Sequence, residues 1–221
     1  MKTNRRTISL ALDILIVIMV FYAWACMIFA WGDNGTIAAG GFRNLKYFTV
    51  LSNLLMAAAS AVNIIVTIKS KRNSTEIPAW TDIFKYVGAT ATALTFLVVV
   101  SFLGPVYKVP GLYSGANLWF HVVVPVLGCI NVVISDFGEI AFKDSFKALV
   151  PLLIYGVGYI GNILINGMGD KPYSNDWYGF LYWGWGIGMV ILAILIVLTW
   201  SMALIMRGLH NRTNGVKNGR K

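Results

Sequence analysis

Six stretches of 20 to 24 mostly apolar residues divide this chain, at 8–31, 47–68, 86–106, 116–135, 148–168 and 183–206. A helix rises about 1.5 Å per residue, so about 20 apolar residues cross the hydrocarbon core of a bilayer. What lies between the stretches is too short for a soluble domain, and the period-two alternation of a membrane β-barrel is missing. Inside lipid, only a helix satisfies every backbone donor and acceptor within one segment. The sequence therefore predicts an all-α, polytopic integral membrane six-helix bundle, with residues 1–221 as a single transmembrane domain. Composition agrees: 57% of the residues are hydrophobic and 12% charged, where a soluble domain carries roughly 25% charged residues. A soluble enzyme and a nucleic-acid module are excluded as the main reading.

The net charge of +9 comes from an uneven distribution of Lys and Arg. Thirteen of the 18 fall in the two tails and the second and fourth loops, among them Arg5, Arg6, Lys71, Arg72, Lys147, Arg207 and Arg212. The other three loops hold Arg43, Lys46, Lys108 and Lys171, and Lys85 is expected at the inner mouth of the third span. Positive residues stay on the cytoplasmic side, so both termini are expected there, in a multi-pass protein of the cell membrane. The bias accounts for the charge without a nucleic-acid partner. The basic start of the chain resembles a signal peptide, but its apolar stretch is long and interrupted by Asp13, so an uncleaved anchor is expected. Cys26 and Cys129 lie at different depths of their spans, which disfavours a disulfide.

Polar groups are costly inside a membrane and so mark the informative positions. The second span carries Thr49, Ser52, Asn53, Ser60 and Asn63 at helical spacing. The fourth carries Asn117, His121, Asn131 and Ser135, and the fifth Tyr155, Tyr159, Asn162 and Asn166. Three polar faces should meet inside the bundle. Ser60, Asn63, Asn131 and Ser135 are expected to be hydrogen-bonding glue between helices. His121 is the one histidine in a span; His210 lies in the tail. Thr49 sits roughly 3 Å and His121 roughly 7 Å below the outer ends of their spans, in one layer of the outer leaflet. Pro125 cannot donate to the His121 carbonyl, so a kink is expected beside the imidazole.

A hydroxyl beside an imidazole is the minimum set for nucleophilic acyl transfer. An internal threonine needs an external base, and a histidine with a pKa of about 6.5 suits that role. A third group should orient the ring: Asn162, Asn166, Asp170 and Asp176 all remain open.

The run Leu45-Lys46-Tyr47-Phe48-Thr49-Val50, with Asn117-Leu118-Trp119-Phe120-His121 before Pro125, resembles the androgen-induced and androgen-dependent TFPI-regulating family of six-helix intramembrane hydrolases. Gly158-Tyr159 and Trp177-Tyr178-Gly179-Phe180 add to the likeness. The longer strings Tyr47-Phe48-Thr49-Val50-Leu51-Ser52-Asn53 and His121-Val122-Val123-Val124-Pro125 are closer to its bacterial "Pr-six-Pr" relatives. The resemblance implies Thr49 as nucleophile, His121 as base, no cofactor, and lipid esters such as fatty acid esters of hydroxy fatty acids as substrates. Asn53 stands where the eukaryotic pattern tends to have an acidic residue.

The resulting expectation is an intramembrane lipid-ester hydrolase or acyltransferase: Thr49 and His121 catalytic, with Ser52, Asn53, Asn117, Tyr159, Asn162 and Asn166 as supporting polar groups. Its partners would be membrane lipids and a lipid-like ester. The alternative is a non-catalytic membrane protein that binds or transports a lipid or small amphiphile in the same polar cavity. A metal site is not expected, because His121 has no Cys, Asp or Glu at its depth. Ion-coupled transport is disfavoured: Asp13 is the only carboxylate expected within a span. Oligomeric state is not legible.

Overall fold

The computed structural model describes residues 2–29, 41–107, 110–170 and 174–215, and among them every regular element is helical. Six helices are long and apolar enough to cross a membrane. They are α1 (Lys2–Phe29), α2 (Phe48–Asn73), α3 (Ala79–Leu103), α4 (Gly115–Ile134), α5 (Asp144–Asn166) and α6 (Trp185–Thr213). The predicted ends at 30–31 and the loop residues Lys108 and Lys171 fall outside the described residues.

Helix number is as the apolar stretches predict, but the helices overrun them at the end of the bundle that carries the termini. α2 continues to Asn73 and α6 to Thr213, and α3 begins at Ala79, seven residues before the predicted start. Hydropathy ends at the first charge, whereas intrahelical hydrogen bonds continue wherever long side chains reach polar surroundings or a partner. This corrects three expectations. His210 is not in a tail: it lies within α6, fully buried, with its ring nitrogens at the Val132 and Gly138 carbonyls, so His121 is not the one histidine in a span. Lys85 is not at a mouth: it lies seven residues into α3 and is 1% exposed. Nor is Asp13 the only carboxylate in a span, since Asp82 and Asp144 lie within α3 and α5.

α1, α2, α3 and α4 form a ring, each packed on the next; α6 packs on α3 and α4, and α5 sits at the periphery. Lipid tails are as apolar as leucine, so close packing and polar contacts must hold such a ring together. Both are present. Near the terminal end, Asp13 is fully buried and receives Lys85 Nζ at 2.9 Å and Asn63 Nδ2 at 2.6 Å on Oδ2, and Asn131 Nδ2 at 2.7 Å on Oδ1. Lys85 also donates to Ser9 Oγ at 2.8 Å, and Ser9 donates to Asn131 Oδ1 at 2.7 Å and bonds Ser135 Oγ at 2.9 Å. One ion pair thus ties all four ring helices. Asn63, Asn131 and Ser135 are the glue their spacing suggested, with a carboxylate and a lysine at its centre. Ser60 is buried as well, but its Oγ finds no partner.

Midway along the ring, Met56 fills the space between Gly88 of α3 and Gly128 of α4. A methyl at Gly88 would lie 3.1 Å from the Met56 Cα, and one at Gly128 3.4 Å from the thioether. This apolar layer separates the Asp13–Lys85 network from a second polar layer around Thr49 and His121.

Candidate functional site

Thr49 is the second residue of α2. A short 3-10 turn (Gly41–Lys46) leads into the extended Tyr47, after which the helix begins. The first N–H groups of a helix have no partner inside it. Here Phe48 donates to Tyr178 Oη at 2.8 Å, and Val50 and Leu51 donate to the Tyr47 carbonyl at 3.1 and 3.2 Å. Among the described residues the Thr49 N–H and Oγ1 make no hydrogen bond. The Thr49 carbonyl is engaged, by Ser52 Oγ at 3.1 Å and Asn53 Nδ2 at 2.7 Å.

His121 lies in a π turn (Trp119–Val123) of α4 and is 2% exposed. Its Nδ1 is 2.7 Å from the Leu112 carbonyl. A carbonyl only accepts, so Nδ1 carries the hydrogen, and the neutral ring keeps a lone pair on Nε2. Leu112 belongs to a short 3-10 turn (Pro110–Tyr113) that is anchored from two sides. Asn117 Nδ2 donates to the Gly111 carbonyl at 2.6 Å, and Tyr113 Oη donates to the Val99 carbonyl at 3.3 Å. Gly104 makes room for the phenol, since a methyl there would lie 2.0 Å from Tyr113 Oη.

Asn53, fully buried, joins the two segments. Its Nδ2 donates to the Thr49 carbonyl and, at 2.9 Å, to the carbonyl of Phe120. Both oxygens sit on one nitrogen, so the backbones of residues 49 and 120 are direct neighbours. Phe120 is available because Val124 donates to Trp119, one residue further back than in an α-helix, and Pro125 has no N–H. The carbonyl put to use is that of Phe120, not the His121 carbonyl the position of Pro125 suggested. Asn53 Oδ1 is buried and has no partner. Ser52 Oγ pairs with Thr95 Oγ1 at 3.1 Å, bringing α3 into the layer. No hydrogen bond joins Thr49 Oγ1 to the His121 ring among the described residues.

Asn53 therefore ties the Thr49 segment of α2 to the His121 segment of α4, while Ser52 turns to α3 and Asn117 and His121 hold the Leu112 turn. The α5 residues do not join them. Asn166 donates to Asn162 at 2.9 Å on an exposed face, and Asp170 is exposed. Tyr159 donates to Asp176, whose carboxylate also receives the N–H groups of Phe180 at 2.9 Å and Leu181 at 3.0 Å. None of the four side chains considered as ring-orienting groups contacts His121; the orienting group is a backbone carbonyl, which no side-chain pattern marks in a sequence. The aromatic residues of α5 and the loop after it instead build a cap over the start of α2. Tyr155 donates to the Lys46 carbonyl at 2.6 Å and accepts from Trp177 at 3.0 Å, and Lys46 Nζ lies 5.2 Å from the Tyr47 ring and 5.6 Å from that of Trp177. Burial pushes the Tyr178 hydroxyl well above its ordinary phenol range, with neighbouring Tyr155 adding to the shift, so it stays protonated. Cys26 and Cys129 are both free.

No family model, curated protein or solved structure matches this chain.

Proposed function

We propose that the protein is an intramembrane lipid-ester hydrolase or acyltransferase of the cell membrane, with Thr49 as nucleophile and His121 as general base. The observation that carries this reading is the 2.7 Å contact from His121 Nδ1 to the Leu112 carbonyl. It orients the ring and leaves Nε2 as a proton acceptor, the role a carboxylate or amide serves in hydrolase triads. Asn53 supports it by fixing the backbone of Thr49 against that of Phe120, next to the base. The family resemblance of the Thr49 and His121 segments points the same way.

In this mechanism Nε2 takes the Thr49 Oγ proton as Oγ attacks the ester carbonyl. The Thr49 N–H, unpaired and at the positive end of the α2 dipole, donates to the oxyanion. The tetrahedral adduct collapses, the alcohol leaves with the proton from His121, and an acyl-threonine remains. Water, or an acceptor alcohol in a transferase, attacks with His121 again as base and frees Oγ. The mechanism requires Oγ1 and Nε2 to come within about 2.6–3.2 Å, directly or through one water, as substrate binds. The substrate would enter sideways from lipid, and the charge bias sets this layer in the outer leaflet with both termini cytoplasmic.

Turnover of a long-chain ester by purified protein in lipid nanodiscs tests the reading. Thr49→Ala should abolish it, Thr49→Ser should retain part, and His121→Ala should lower it by about 10²–10⁴-fold. The double alanine variant should lose little beyond the worse single one, because the two residues act as a unit. Full turnover in Thr49→Ala would refute the mechanism. A protein that only binds or transports an amphiphile would show no turnover, and a graded loss of affinity in each variant.

A further inference from the structure

At the opposite end of the bundle from Thr49 lies a cavity of about 700 Å³ between the start of α3 and the segment joining α4 to α5. That volume is within the range of ligand sites. One wall is apolar and aromatic: Trp80, Ile83 and Phe84 from α3, and Phe137 from the connecting segment. The polar lining is largely acidic, comprising Asp82, Glu139 and Asp144 with Lys147 as the only base. Asp82 and Phe137 also line a second, water-sized space of about 30 Å³ that runs inward to Ser9 and Lys85.

This acidity stands out, because four of the protein's nine acids, Asp82, Asp136, Glu139 and Asp144, line these two adjoining spaces, where the bases of the lining are Lys147 in the larger and Arg6 and Lys85 in the smaller. The charges are unequally compensated. Asp144 is held by Lys147 at 2.7 Å, and Glu139 lies 3.9 Å from Arg207. Lys85, the cation nearest Asp82 along the helix, is bound to Asp13 at 2.9 Å. The Asp82 side chain forms no hydrogen bond and no ion pair among the described residues. A half-buried carboxylate beside aromatic rings attracts an ammonium group twice over, by charge and through the ring faces. The position at the end of an apolar span adds an alkyl chain to the requirements.

We propose that this cavity binds a single-chain amphiphile with an ammonium head, taken from the leaflet at the terminal end: the head against Asp82, with Glu139 nearby, and the chain along Trp80, Ile83 and Phe84. The site is independent of Thr49 and His121 and stands whether or not the protein is a hydrolase.

Equilibrium binding of radiolabelled dodecyltrimethylammonium to the full chain in maltoside micelles tests the proposal, with dodecanoate as the anionic control. Wild type should show saturable binding of about one equivalent above the linear micellar background. Asp82→Asn should weaken it at least tenfold with an unchanged thermal midpoint. Trp80→Ala and Glu139→Gln, both at exposed positions and so safe for folding, should each weaken it several-fold, and Thr49→Ala should leave it unaltered. Purely linear uptake by wild type, undiminished binding by both Asp82→Asn and Trp80→Ala, or equal saturable binding of dodecanoate would each overturn the proposal.

Discussion

Asn53 illustrates how one side chain decides local structure here. Its amide nitrogen serves two carbonyls on different helices, and only one of them has an alternative donor, Ser52. Asn53→Leu would leave the Phe120 carbonyl buried and unpaired, at a cost of about 1–3 kcal/mol. We expect a lower thermal midpoint in micelles, together with a loss of ester turnover larger than the stability change explains; unaltered turnover would show that the tie between Thr49 and Phe120 has no bearing on the chemistry. Thr49, His121, Ser52, Asn53 and Asn117 could be singled out in the sequence because polar residues at helical spacing within apolar runs have few reasons to be there. Leu112 was not legible. It contributes a carbonyl, which every residue has, and only the turn that presents it makes it a partner.

At the scale of helices, the ring of α1 to α4 is held by a buried ion pair whose carboxylate, Asp13, accepts from Lys85, Asn63 and Asn131 on the other three helices. Removing one partner strands the other charge, so Asp13→Asn and Lys85→Met should each destabilise the fold by about 3–5 kcal/mol. The double change should recover a large part of that loss, which thermal unfolding of the four proteins in micelles can measure; simple additivity would mean the two charges do not depend on each other. The sequence concealed this pairing because an apolar window stops at a charge, which set Lys85 outside a span it in fact lies within. Gly104 tests a different joint. Its missing side chain accommodates the Tyr113 phenol, so Gly104→Ala should displace the Leu112 turn and impair His121, while Gly104→Ala combined with Tyr113→Ala should restore helix packing and raise the midpoint again. If the single change leaves both stability and turnover intact, that turn is not fixed by this contact.

For the molecule as a whole, six spans followed from length and hydropathy alone, since the bilayer sets the length and the backbone forces the helix. The expectation that three polar faces converge held for α2 and α4 and failed for α5, whose tyrosines serve an aromatic cap and whose asparagines pair with each other. Spacing gives the face of a helix but not which way that face turns at the edge of a bundle. Charge bias makes its own claim at this scale: a reporter fused to the C-terminal tail should be cytoplasmic, and a cysteine introduced at Gly115 should react with an impermeant reagent added from outside. The reverse pattern would move Thr49 to the inner leaflet without altering the chemistry proposed for it. That chemistry is tested most directly by intact-mass spectrometry after exposure to a lipophilic fluorophosphonate. The account predicts one phosphonyl adduct on wild type, located at Thr49, absent from Thr49→Ala and strongly slowed in His121→Ala. An unmodified wild-type protein, or an adduct that persists in Thr49→Ala, would contradict it.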